Sequence, residues 1–226
     1  MSENFVYDVP KTLPVILLLD NSGSMSSGGN INVLNNAVNA MLKSFKELDS
    51  VIATISVSII SFGSNVNMVS KLLPVEEVED INLSAGGNTP YGAALRMAKE
   101  MIEAKDNFPS RSYRPAIITV SDGMPNDDWQ SALEAFKTTG RSSKCHCMAM
   151  SIGAGEGTPA FEVLSRFASG AENVFFADNA KDIHKFFKLI TTTIKTRTQS
   201  SNPNLIPQLD FASIPEVSDD DEDILY

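Results

Sequence analysis

The sequence contains no apolar run near the ~20 residues needed to cross a bilayer. Its longest such run begins at Leu13 and ends at Leu19, so no membrane span is expected. Met1-Ser2-Glu3-Asn4 shows no basic region leading into an apolar stretch. No signal peptide is expected on that ground, and a cytoplasmic setting is the default. Cysteine is scarce too: Cys145 and Cys147 are the only two, one residue apart. On a strand they would share a face, a poor arrangement for a framework disulfide, and His146 alone beside them falls short of a four-ligand zinc set. Burial as small hydrophobes is the expectation.

Basic stripes are missing as well. The net charge is −10, and the stretch from Asn202 to Tyr226, with seven acids and no Lys or Arg, accounts for seven of those charges. Nothing resembles a phosphate-binding surface, which argues against nucleic acid as a partner. The chain also lacks G-x-x-x-x-G-K-[ST] and has no G-x-G-x-x-G after its first strand, so nucleotide binding finds no motif. Gly153-Ala154-Gly155-Glu156-Gly157 follows a late strand and reads as a turn.

What is present fits one large α/β domain: 226 residues, 42% of them hydrophobic. Leu13 to Leu19 reads as a strand buried on both faces. Ile31, Leu34, Val38, Met41, Leu42, Phe45 and Leu48 recur at three and four, the stripe of an amphipathic helix. Val51 to Phe62 and Asn67 to Leu73 read as strands, and Pro90 suits the first turn of a helix with Tyr91, Ala94, Leu95, Ala98, Met101 and Ile102 on its apolar face. Pro115 to Val120, Cys145 to Ile152 and Asn173 to Phe176 complete the strands, alternating with helices near 129–137, 159–168 and 180–197. Such alternation predicts a doubly wound, mainly parallel, six-stranded Rossmann-like sheet flanked by helices. We divide the chain into an extension (1–12), a domain (13–200) and an acidic, flexible tail (201–226).

In the strand order 3-2-1-4-5-6, the strands ending at Asp20 and Asp122 are neighbours at the switch point, where ligands bind. Three separated segments bring oxygen donors to those tips: Asp20, Ser22 and Ser24; then Thr89; then Asp122. Two carboxylates with three hydroxyls suit a hard divalent cation, Mg2+, with Mn2+ or Ca2+ as alternatives. Gly23 would allow a tight turn between the two serines, and Gly86-Gly87 a close approach of the Thr89 loop.

Asp20-Asn21-Ser22-Gly23-Ser24 resembles the DxSxS motif of the metal-ion-dependent adhesion site of von Willebrand factor A domains. Thr89 and Asp122-Gly123 resemble its later threonine and aspartate, and the resemblance runs from about Leu13 to Arg197. It implies that Ser22 and Ser24 bind the metal directly, Thr89 directly or through water, and Asp20 and Asp122 mostly through water. A partner protein's Glu or Asp would supply the remaining ligand, which is recognition rather than catalysis. Leu13-Pro14-Val15, the run Gly87 to Leu95, Arg114-Pro115 and the run Ser121 to Trp129 resemble the bacterial tellurite-resistance-associated, TerY-like branch. That likeness implies a cytoplasmic scaffold in a stress or phospho-signalling system with a protein kinase and a PP2C-type phosphatase.

The acidic tail is not part of that pattern. Its carboxylates, followed by Ile224-Leu225-Tyr226, offer a second source for the metal's missing ligand. The rival function is a Mg2+-dependent phosphohydrolase with Asp20 as phosphoryl acceptor. That chemistry wants a second carboxylate two residues on, where this chain has Ser22. Asp127 and Asp128 read as helix-starting acids, Trp129 as packing, and His184 as a surface or packed residue.

Overall fold

The protein, seen as a computed structural model, is described at residues 11–50, 52–105, 108 and 112–215. The expected extension, apart from residues 11 and 12, and the carboxylates at 216 and 219–223 lie outside those residues. Six strands take up the branched apolar runs: β1 (Lys11–Asp20), β2 (Ala53–Phe62), β3 (Val66–Pro74), β4 (Ala116–Ser121), β5 (His146–Ile152) and β6 (Val174–Ala177). Between them lie α1 (Asn30–Lys46), α2 (Tyr91–Glu103), α3 (Trp129–Thr138), α4 (Pro159–Phe167) and α5 (Ala180–Gln199). The sheet runs β3-β2-β1-β4-β5-β6, with only β3 antiparallel. This is the expected doubly wound order.

β1 is the centre because it has no polar side to show. Alternate residues point to opposite faces of a strand, and both faces are covered here. Leu13, Val15, Leu17 and Leu19 join α1 and α5 in one core, whereas Ile16 and Leu18 join α2, α3 and α4 in the other. Burying a branched side chain of this kind stabilises by about 1.5–3 kcal/mol, so the double coverage fixes β1 firmly and with it the tip that follows. β3 alternates between half-buried and exposed residues, as an edge strand with one wet face should.

Helix starts follow local chemistry. Asn179 and Asp182 form a reciprocal capping box at α5, and Thr158 caps α4, which has Pro159 in its first turn. Cys145 and Cys147 are free and buried in the core beneath α3 and α4, in keeping with the expectation of small hydrophobes. Burial pushes both thiols up, Cys147 to about 11. Trp129 packs into the same core with the Arg166 guanidinium 5.0 Å from its ring centroid.

One expectation needs correction. Helical periodicity stops at residue 200, which predicts a flexible tail from there. Residues 201–215 instead form a strap against the body. Pro203 is buried, Phe211 packs against Phe175 with ring centroids 5.2 Å apart and planes tilted by 52°, and Ile214 enters the core. Arg197, fully buried at the end of α5, donates from Nε to the Pro203 carbonyl at 2.8 Å and from Nη2 to the Arg114 carbonyl at 2.5 Å. Among the described residues, no helix is long and apolar enough to cross a membrane.

Candidate metal centre

Parallel pairing of β1 with β4 runs as far as Leu19 beside Val120, which brings the next residues, Asp20 and Ser121, side by side. Asp20 is completely buried. Its Oδ1 accepts the Ser22 backbone N–H at 2.7 Å, and its Oδ2 accepts the Ser121 hydroxyl at 2.5 Å. The Ser24 hydroxyl donates to Asp122 Oδ1 at 2.7 Å. Ser24 has only that one proton, so in the 3.0 Å contact between the two serines Ser22 is the donor. A chain of hydroxyls therefore runs from Ser22 through Ser24 to Asp122.

Thr89 arrives from the far side. Its buried side chain and that of Ser24 flank Gly123: a Cβ there would lie 3.7 Å from Thr89 Oγ1 and 3.8 Å from Ser24 Oγ. The Thr89 carbonyl accepts the backbone N–H groups of Tyr91 at 2.9 Å and Asn126 at 3.2 Å, which ties this loop to the one leaving β4. All five residues picked from the sequence thus come together at the carboxyl ends of β1 and β4.

The loops reach this point through close backbone contacts. Gly87 has φ +79°, and a Cβ on it would overlap the Ser64 backbone, so this position requires glycine. Gly23 lies in the expected tight turn, closed by the Met25 N–H donating to the Ser22 carbonyl at 3.2 Å, without a left-handed conformation. Its role is proximity: its N–H donates to the Gly87 carbonyl at 3.0 Å. The Asn21 backbone bridges the same loops, donating to the Phe62 carbonyl at 2.9 Å and accepting from Gly86 at 2.8 Å.

Two participants escaped the sequence reading. Ser121 holds the second oxygen of Asp20; its signal was its place beside Asp122 on a strand paired with β1. Asp127 was expected to start α3, but its carboxylate accepts the Gly92 and Ala93 N–H groups at 2.9 and 2.8 Å, capping α2 directly after Thr89-Pro90. Asp128 is the residue that precedes α3, with the Ser131 hydroxyl on its carboxylate.

Neither Asp20 nor Asp122 has an ion-pair partner among the described residues. Burial pushes Asp20 up to about 6 against the opposing hydrogen bonds of Ser121 and Ser22, and burial also raises Asp122. A desolvated carboxylate with no countercharge lacks a cation. No group of three or more His, Cys, Asp or Glu suited to a metal exists among the described residues. The donor set is two carboxylates with hydroxyls, which fits a hard, oxygen-preferring divalent ion and not a thiolate or imidazole centre.

Comparison with known proteins bears on the fold. Residues 15–125 match the von Willebrand factor type A domain family. No curated protein matches the sequence. Among solved structures, the pilus adhesin SpaC of Lactobacillus rhamnosus GG is similar over 82% of this chain and 31% of its own (TM-score 0.68, 16% identity). The von Willebrand domain of the type V pili tip protein Mfa5 from Porphyromonas gingivalis is similar over 86% of this chain and 98% of its own (TM-score 0.62, 14% identity). Proximal thread matrix protein 1 from the mussel byssus, whose metal-ion-dependent adhesion motif holds zinc in that structure, is similar over 85% of this chain and 47% of its own (TM-score 0.59, 17% identity). The chain thus spans about a third of the adhesin and under half of the byssal protein. At such identities the likeness is one of fold. Together, the family match over residues 15–125, which span Asp20 to Asp122, and the six-stranded sheet around them give this chain the fold of a von Willebrand factor type A domain.

Proposed function

We propose that this protein is a non-enzymatic interaction module whose centre binds Mg2+ and, through it, an acidic residue of a protein partner. The observation that carries the reading is the convergence of Ser22, Ser24 and Thr89 hydroxyls on two desolvated carboxylates without a countercharge. Ser22, Ser24 and Thr89 would ligate the ion, and Asp20 and Asp122 would orient its waters. Because few carboxylates bind it directly, the ion stays electron-poor and favours an anionic oxygen from outside. By its likeness to the TerY-like branch, the partner belongs to a cytoplasmic stress or phospho-signalling system with a protein kinase and a PP2C-type phosphatase. The chain's own acidic tail, past residue 215, would compete for the same position.

A phosphohydrolase using Asp20 gains no support. Both oxygens of that carboxylate accept hydrogen bonds within the protein, from Ser22 and Ser121, and position 22 holds no second acid.

The test is a Mg2+ titration followed by thermal unfolding and by capture of the kinase or phosphatase. Saturation at about 100 times Kd is expected to stabilise the fold by about 2.7 kcal/mol. EDTA or Asp20→Ala should abolish both that shift and the capture while circular dichroism stays folded. Capture that persists in EDTA defeats the reading, as does Mg2+-dependent phosphate release that Asp20→Ala removes.

A further inference from the structure

The rim of the metal centre offers a second kind of contact. Gly123 stands between Thr89 and Ser24, and the chain runs directly from it into Met124. Met124 is 45% exposed. It is one of four large hydrophobics exposed among the described residues, and the other three, Val69, Phe176 and Leu205, lie outside the loops that build the centre. Its neighbours extend the apolar surface. The Asn126 N–H reaches the Thr89 carbonyl at 3.2 Å, which sets the half-buried Pro125 and Pro90 on either side of that bond. Three apolar residues thus gather along the Thr89 side of the centre. The prolines are already held by their rings, and the thioether of Met124 adapts to the shape of what it meets.

The rest of the rim is polar without being basic. The loops at 21–29, 63–65, 84–90 and 121–128 contain no Lys or Arg. Apart from Met124 and glycines, their exposed residues are serines, asparagines and Asp128. Arg96 of α2 reaches the last of these loops but is engaged there. It donates to the Asp128 carbonyl at 3.1 Å and lies 3.6 Å from the Asp128 carboxylate.

Charge then limits what can dock. Asp20 and Asp122 together balance the two charges of a divalent ion. One incoming carboxylate is drawn to the ion itself. A second or third would find no free cation in these loops and would meet Asp128 at their edge. On the footing that the centre binds Mg2+ and an acidic residue of a partner, we propose that the partner segment is a single Asp or Glu directly adjoining a large apolar residue. The apolar side chain packs on Met124, and a run of acids is not the preferred ligand.

Three end-blocked peptides, titrated into the full chain in saturating Mg2+ and followed by amide NMR, test the partner chemistry: Gly-Leu-Asp-Leu-Gly, Gly-Gly-Asp-Gly-Gly and Gly-Asp-Asp-Asp-Gly. Expected are shifts at Ser24, Thr89 and residues 122–126. The leucine peptide should bind about tenfold tighter than the glycine peptide, the gain from burying roughly half a leucine side chain. The triple-Asp peptide should stay within about threefold of the glycine peptide, the statistical gain of three equivalent carboxylates. Competition from the chain's own tail lowers all three affinities by one factor and leaves their order intact. Met124→Ser should bring the leucine and glycine peptides to equal affinity, and Met124→Leu should keep them apart. Equal binding of those two peptides to the unaltered chain overturns the proposal. So does tightest binding by the triple-Asp peptide, or a leucine preference that survives Met124→Ser. Peptide binding that persists in EDTA, or no shift at Ser24 and Thr89 with Mg2+ by itself, defeats the Mg2+-dependent function as well.

Discussion

The two ends of the sheet bury charge in opposite ways. At the carboxyl ends of β1 and β4, Asp20 is an anion held by one hydroxyl and one backbone N–H, with no ion-pair partner among the described residues. At the end of α5, Arg197 is a cation held by two carbonyls, its Nη1 buried without a hydrogen-bond partner and no carboxylate ion-paired to it among the described residues. The difference lies in what the chain itself supplies. The Pro203 and Arg114 carbonyls are fixed, neutral acceptors that hold two of the guanidinium's nitrogens. Arg197 stays charged even though burial lowers it to about 10. Asp20 gains hydrogen bonds but is still raised to about 6. Arg197 is therefore a structural charge, and Asp20 is one that waits for a countercharge from outside.

Removing each charge should break the comparison in opposite directions. Arg197→Met leaves the Pro203 and Arg114 carbonyls without their donor and releases the strap from α5. A loss of about 3 kcal/mol is expected, because hydrogen bonds to a buried charge are stronger than neutral ones and their carbonyls would stay buried. Urea unfolding measures it. A loss below about 1 kcal/mol would mean that the strap is held by its apolar contacts alone.

Asp20→Asn should do the reverse in EDTA. The folded carboxyl titrates near 6 and the ordinary one at 3.8, so between those values the folded state binds the extra proton. The stability from this group is fully present below pH 3.8 and is lost as pH rises through 6. Metal-free protein should thus weaken from pH 5 to pH 7.5, by at most about 3 kcal/mol. The asparagine variant should lack that slope, since its amide oxygen can accept from Ser22 while its nitrogen donates to the Ser121 hydroxyl. It should also be the more stable of the two at pH 7.5 and show no response to Mg2+. A variant less stable than wild type at that pH would make the carboxylate's hydrogen bonds worth more than its desolvation.

The two ends were not equally legible in the sequence. Asp20, Ser22 and Ser24 sit within five residues after a strand that can only be central, and two later strand ends supply Thr89 and Asp122. Strand order then brings the pieces together without side-chain detail. Ser121 needed the register between β1 and β4, which no local pattern encodes. Asp127 looked like a start for its own helix because caps are usually local, yet it serves α2 across the loop. Arg197 and His146 are far apart in sequence and join no motif, and Arg114 stands in one only as part of Arg114-Pro115. The strap was read as flexible because Ile206, Leu209, Phe211 and Ile214 follow no helical or strand period between prolines. Their burial depends on the surface that α5 and Phe175 offer them.

Asp127 gives the smallest expected effect and the finest distinction. Its carboxylate holds the first free N–H groups of α2, and the residues immediately before that helix are Thr89 and Pro90. Asp127→Ala should cost about 1 kcal/mol of stability, as for the loss of a helix cap. It should also loosen the loop that carries the Thr89 hydroxyl. Mg2+ affinity should then fall several-fold although Asp127 is not among the expected ligands, and Asp127→Asn, which keeps one acceptor, should restore part of it. If stability falls while Mg2+ affinity holds, Thr89 is positioned instead by its carbonyl's contacts with Tyr91 and Asn126. The metal pole would then be built by backbone pairing, as the strap end is built by backbone carbonyls, and the contrast between the two ends would reduce to the missing cation alone.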